Sequence, residues 1–475
     1  MLAKHIADIG YDGIPRHAVE IAKKSFLDAL GVTLAAGTLG EGCQAFVSLA
    51  IAEGGKKEST LIGFDAKTSA AMAAFANGAM AHAIDFEDAH DRALVHPNAA
   101  TIPAALAVAE SIGNVSGKEF LAAIILGSDL VCRLGLALNV NPLEYGWYIP
   151  PIAGAFGATA AACKLLRLTA EQILDAFSLT LCQATCSAEL VHSPRSVVRS
   201  IRDAFAAKAG VLSALLARQG VTGFKQPFEG KAGFFSLYAR GNYDPQVLAK
   251  DLGRVFEGAH VSLKPWPSCR GTHPYVDAVL QIVGAHHLKP VDVEGIHVVV
   301  SPVSKMLCEP LERKQRPVTA IDAKFSIPFV VATALINGRV SLEHFTPQAL
   351  SNQEVLQMAQ RVTYQVDTGL MLKDAMQAFL QINARSESFS ASVDFAYGHP
   401  RNPISQDALI GKFMDCAQHA AKKIPAQELS EIVELVLHLE DVENISGITE
   451  RILDLVVNTP DDLVLYAVGD IAPDR

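Results

Sequence analysis

Through the first 265 residues, apolar positions return every three or four residues, the spacing that keeps one face of a helix apolar. Ile14, Ala18, Ala22, Phe26, Leu30 and Leu34 share such a face, with Pro15 near the first turn. The same period predicts helices over 68–85, with Thr68 or Ser69 as N-cap, and over 103–112, 118–131, 152–166, 170–186 and 203–219. Ala and Gly crowd these faces, so the helices are expected to approach closely, as in a packed bundle. The pattern changes after Pro265, Trp266 and Pro267. Runs at 295–302, 361–368 and 388–398 read as strands, and helices are predicted at 273–287, 322–337 and 370–381. Helical periodicity resumes in the tail. The expected fold is multidomain: a discontinuous all-α domain, 1–265 with 401–475, and a smaller α+β lid domain over 266–400.

Composition narrows the class. Half of the 475 residues are hydrophobic and 19% are charged, which excludes a disordered chain. The formal charge is −10, so a basic nucleic-acid footprint is absent, while a local cationic pocket remains compatible. The most apolar stretch, 120–131, is interrupted by Gly127, Ser128 and Asp129, well short of the ~20 residues a spanning helix needs. No signal-peptide core opens the chain, and the eight cysteines form no C-x-x-C pair. A cytoplasmic protein without nucleic-acid or membrane partners is expected.

Three polar clusters could carry chemistry. His82, Asp85, Glu87, Asp88, His90, Asp91 and His96 lie within fifteen residues between two apolar helices. Like charges this close push their pKa values apart, as proton transfer requires. The plain alternative is a solvated loop with N-capping aspartates; a metal site is a third reading, without an H-E-x-x-H pattern. The second cluster holds Lys264, Cys269, Arg270, His273 and Tyr275 at the domain junction. It reads as an anion site or as a proline-rich hinge with solvated charges. No sequence feature activates Cys269, which reads as a wall residue. Arg195, Arg199 and Arg202 form the third, a carboxylate-binding or surface stripe. The glycine-studded stretch 220–233 lacks a P-loop pattern.

The run AHAIDFEDAHDRALVHPNAATIPAALAVAE resembles the N-terminal signature of the MmgE/PrpD family. GAFGATAAACKLLRL, AFAAKAGVLSALLARQGVTG, the junction from Lys264 to Ala278, and AKFSIPFVVATALINGRV resemble the same family in the same order. The resemblance implies a helical domain and an α+β domain with a cleft between them, a homodimer, and chemistry without metal or organic cofactor. It further implies proton transfer at carbon beside a carboxylate of a small polycarboxylate: dehydration or decarboxylation, or alternatively epimerisation. A metal-dependent hydrolase built on the first cluster is the reading from another class. Asp85, His96, Lys264 and His273 fall on the family's motif positions. Three positions depart from it: Ala89 stands where many members have Thr or Ser, Tyr148 where many have His, and Arg199 where many have Lys. The interval from Asp85 to His96 spans eleven positions, as in epimerase-like members. The expected catalytic set is Asp85, His96, Tyr148, Lys264 and His273. The expected substrate-binding set is Arg199, Glu87, Asp88, Cys269 and Arg270, with no metal ligands.

Overall fold

The computed structural model describes residues 1–193, 195–370 and 376–454. The long helix α1 (Arg16–Leu39) follows Pro15 and buries Ala18, Ala22, Phe26, Leu30 and Leu34. Helix α2 (Ala70–Ala83) starts after Ser69. Thr68 belongs instead to a short ladder with Ser59, its hydroxyl donating to the carbonyls of Ala50 and Gly54. Helix α3 (Pro97–Ile112) begins earlier than the pattern suggests, because Pro97 occupies the first turn, where its missing N–H costs nothing. Capping boxes open α4 (Gly117–Leu136) at Ser116 and Glu119, and α6 (Ala170–Leu181) at Thr169 and Gln172. Between them lies α5 (Ile149–Leu165), and α7 (Asp203–Arg218) follows. Helix α6 stops at Leu181 rather than 186. The chain beyond it pairs with the entry to α5, where the Tyr148 N–H donates to the Cys186 carbonyl at 2.9 Å.

Small residues set how tightly this bundle packs. A Cβ on Gly127 of α4 would sit 2.7 Å from the Gly157 carbonyl oxygen of α5, and one on Gly157 would sit 2.6 Å from Thr101 Oγ1 of α3. Neither position accepts a side chain without separating the helices.

The smaller unit combines α8 (His273–His286) and α9 (Ile327–Asn337) with a four-stranded sheet. Its strands are β1 (Val293–Val300), β2 (Val362–Val366), β3 (Ala378–Ala384) and β4 (Glu387–Val393), in the order β2-β1-β3-β4. The β1–β2 pair is parallel and the others antiparallel. The helix predicted over 370–381 is corrected here: 371–375 fall outside the described residues, and 378 onward is β3. Ala378, Leu380, Ile382 and Ala384 alternate onto the buried face, so pairing between β1 and β4 overrides helix propensity. The helix predicted over 322–337 is also broken. Its first turn, Ala320–Lys324, ends before Ser326, whose hydroxyl caps α9 at Phe329 N–H.

Two apolar cores result. One runs from Leu2 to Leu263 and takes in Leu409, Phe413 and Ile432 from α10 (Gln406–Gln418) and α11 (Ala426–Leu437). The other joins α8, α9 and the sheet. Among the described residues no single helix is long and apolar enough to cross a membrane.

Candidate active site

The acidic loop between α2 and α3 is pinned to a segment far along the chain. Ala89 and Ser262 exchange backbone hydrogen bonds of 3.0 and 2.7 Å, while His90 N–H bonds Val95 O at 2.9 Å. Asp85 takes a left-handed backbone, φ 51°, which turns the chain out of α2 and into this ladder. Lys412 of α10 closes the arrangement. Its ammonium donates to the carbonyls of Phe86 (2.6 Å) and Lys264 (2.9 Å) and pairs with Asp28.

Lys264 therefore arrives beside Asp85. Both are fully buried; Nζ lies 2.6 Å from Asp85 Oδ1 and 3.0 Å from its carbonyl oxygen. Next to them Glu87 Oε1 sits between two imidazoles, 2.5 Å from His82 Nδ1 and 2.7 Å from His96 Nδ1. Burial pushes the Glu87 carboxyl up, but His82, Lys264 and His96 outweigh it and hold the group well below the carboxylate range. Burial likewise raises Asp85, and Lys264 with His82 brings it below its ordinary value. For Lys264 burial acts downward, but Asp85 and Glu87 leave it raised. Burial, then Arg202, lowers His82. The Arg202 guanidinium faces His82 Nε2, so His82 is neutral, accepting at Nε2 and donating to Glu87 from Nδ1. His96 Nδ1 faces two acceptors, Glu87 and the Asp88 carbonyl at 3.2 Å. It therefore carries a proton, which leaves Nε2 to exchange one with a substrate.

A cavity of about 180 Å³ lies against this cluster. It is below the ~300 Å³ at which drug-sized sites begin, hence suited to a small molecule. His96, Tyr148, Arg199, Cys269 and Arg270 line it; Asp85, Glu87, Asp88, Lys264 and His273 do not. His96 and Tyr148 are the N-caps of α3 and α5, so the positive ends of two helix dipoles meet there. Arg199 is buried, stacks 3.4 Å from the Phe325 ring, and has no protein partner for Nε or Nη2. Arg270 differs: its five N–H groups are taken by Asp91, His273, Tyr397 and Ala396. His273 accepts from Arg270 at Nδ1 and donates to Ser268 O at 3.1 Å. Burial and the neighbouring cations Arg270 and Lys264 keep it well below its ordinary pKa. Both residues are thus fastened into the junction. Burial pushes the Cys269 thiol up to about 11, so it has little thiolate character. Asp88 faces Asn98 at 2.6 Å, and burial raises it to about 6.

Two further cations stand here: Arg202, named from the sequence only within the arginine stripe, and Lys324, which no sequence feature singles out. Arg202 is buried, its Nε 3.6 Å from Asp203 Oδ2 and its Nη2 without a hydrogen bond to protein, and its guanidinium lies 4.9 Å from the Tyr148 ring centroid. Lys324 donates to Pro267 O, and burial lowers it to about 7. Only the break before α9 brings Lys324 here. His82, named within the first cluster but given no role, proves to be the link between Arg202 and Glu87. The donor atoms of His82, Asp85, Glu87 and His96 lie within 4.8 Å of one another, a ligand-like spacing. Two fixed cations, Lys264 on Asp85 and Arg202 on His82, already neutralise that set. Both Nδ1 atoms facing Glu87 also carry protons a metal would have to displace.

The MmgE/PrpD N-terminal domain matches residues 1–246 and the MmgE/PrpD C-terminal domain matches residues 266–439. The chain belongs to the MmgE/PrpD family, and it is an enzyme of the lyase type. Cis-aconitate decarboxylase of Homo sapiens is 27% identical over 397 residues, covering 81% of this chain and 80% of that one. A cis-aconitate decarboxylase-like protein of Aspergillus oryzae is 27% identical over 381 residues, covering 76% and 78%. Cis-aconitate decarboxylase of Aspergillus terreus is 24% identical over 476 residues, covering 96% and 95%.

Proposed function

We propose that the protein is a decarboxylating lyase for a small unsaturated polycarboxylate, working in a homodimer by proton transfer without a metal. The observation that carries this reading is His96: of the buried imidazole–carboxylate cluster it alone lines the cavity, its Nδ1 held 2.7 Å from Glu87. The relatives' names favour decarboxylation over dehydration and epimerisation.

Consider an acid whose carboxylate stands one carbon from a C=C bond. As the carbon–carboxylate bond breaks, CO₂ leaves and its electron pair moves into a new C=C bond. The former alkene pair moves to the far carbon, which takes a proton from His96 Nε2. One proton is consumed and one CO₂ released per turnover. Negative charge builds at the far carbon and spreads into the carboxylate attached to it. Arg199, with N–H groups unused by the protein, is the group for that carboxylate. Glu87 stabilises the charged ring of His96 before transfer. His82 and Arg202 fix Glu87 from behind, and Lys264 with Asp85 sets the local field. Tyr148 caps α5 at the cavity wall and is a second group able to pass a proton there. Arg270 and His273 act as positioning residues. The domain of 266–400 forms the opposite wall through Phe325 and Leu307 and closes over the cleft.

The test is a panel of unsaturated di- and tricarboxylates followed by NMR in D₂O, with CO₂ measured. Stoichiometric CO₂ and one deuterium at the former alkene carbon support the reading. Deuterium exchange without CO₂ or water loss would establish an epimerase instead. The ligand-like spacing of His82, Asp85, Glu87 and His96 keeps a metal-dependent hydrolase as the second reading. Activity that disappears on EDTA treatment and returns with zinc or manganese would establish it.

A further inference from the structure

The cavity is lopsided. Its polar end holds His96 and Arg199, and Arg199 is the one buried lining cation with N–H groups free of protein partners among the described residues. Arg92 is exposed at the rim. Arg270 is saturated by its own neighbours, and Lys264 lies behind the wall on Asp85. From Arg199 onward the lining is mainly apolar, with Leu138, Leu143 and Trp147 from the helical domain and Val303, Met306 and Leu307 from the smaller one, and Asn141 and Ser304 as uncharged polar neighbours. Three carboxylates on a small acid would place at least one of them against this apolar wall. A desolvated anion there would lack a cationic partner.

We propose that the substrate is a carboxylate with an apolar arm: an acid head gripped by Arg199 and worked on by His96, carrying an alkyl chain that fills the lobe of Leu138, Leu143, Trp147, Val303, Met306 and Leu307. This rests on the lyase reading above and adds the class of substituent. The lobe belongs to both domains, so an arm bound there also holds the two walls together.

Binding is measured by calorimetry with succinate and 2-methyl-, 2-propyl- and 2-pentylsuccinate. These are saturated acids that cannot decarboxylate by the route above, so the result is independent of turnover. Each buried methylene is expected to tighten Kd about four-fold, the equivalent of ~0.8 kcal/mol, until the lobe is full. In Met306→Glu, and separately in Leu143→Glu in case the first misfolds, the dependence on chain length is expected to vanish. A wild-type Kd that is flat across the series, or lengthens with the arm, overturns the inference. So does a slope that survives in a folded variant. Turnover of the matching 3-alkylglutaconates, in which one carboxylate stands one carbon from the C=C bond and the other sits on its far carbon, is assayed in parallel. Its absence throughout, with binding still graded by chain length, overturns the lyase reading and leaves the apolar lobe standing.

Discussion

Replacing Lys264 by Met removes the ammonium from a pair in which both members are completely buried and 2.6 Å apart. Methionine fills most of the volume, so the loss is electrostatic rather than a cavity. Asp85 is left as a charged carboxylate with Oδ1 and its carbonyl oxygen both stripped of a donor, and Oδ2 has no protein partner even in the parent. Breaking a buried pair from one side typically costs ~3–5 kcal/mol. Urea unfolding followed by tryptophan fluorescence reads this well. The chain has two tryptophans, Trp147 in the cavity wall and Trp266 beside Lys264. The double variant Asp85→Asn, Lys264→Met is expected to be ~2 kcal/mol more stable than Lys264→Met alone, since it removes the stranded charge. pH supplies an internal check. In the parent, the depressed Asp85 contributes stability that is present above ~4 and lost as pH falls through its folded value. The raised Lys264 contributes stability present below ~10.5 and lost as pH rises through its own. Without Lys264, burial favours protonation of Asp85, so the variant's deficit should shrink as pH falls toward ~5. A loss below ~1 kcal/mol, or a double variant less stable than the single, refutes this account of the pair.

Other perturbations separate the roles further. His96→Gln should lower kcat by about 10²–10⁴-fold with the urea midpoint unchanged, as expected of a proton donor; turnover within ten-fold of the parent would remove it from the mechanism. Arg199→Met should cost about 10- to 100-fold in kcat/KM while stability stays level or rises, because its free N–H groups serve no protein partner. Large destabilisation with activity retained would make it a structural residue. Asp88 is raised to about 6 by burial, so the native state holds a proton that the unfolded chain has released near 4. Stability should therefore fall between ~4 and ~6, by up to ~3 kcal/mol, and Asp88→Asn should abolish that slope in denaturation curves recorded across this range.

How much of this could be read beforehand depended on whether the signal was local. Helix α3 reads from 103 although it starts at Pro97, whereas the buried stripe of α1 is written in neighbouring residues, as is the acidic loop with its His–Pro end. Strand β3 is not: its alternation at Ala378, Leu380 and Ile382 is offset by helix-favouring neighbours, and only β1 and β4 decide the outcome. The site shows the same division. His96 and Lys264 stand out by residue type and by family resemblance. That Arg270 is consumed by Asp91 and the 396–397 carbonyls while Arg199 keeps its donors is invisible in sequence, because each is simply an arginine near a junction. Lys324 was hidden for a related reason. A continuous helix over 322–337 would have given it no particular aim, and the Ser326 cap redirects it.

Lys412 ties together two backbone carbonyls contributed by the front and the middle of the chain, and it stands near the end. Before that lysine is made, the acidic loop and the Lys264 segment have the Ala89–Ser262 ladder and the Asp85–Lys264 pair, and lack the donor that joins Phe86 O to Lys264 O. A growing polypeptide can condense its first helices early, yet this clamp closes only after residue 412 has been added. The third strap on the loop is thus a late arrival in synthesis, and a chain cut short before residue 412 lacks it.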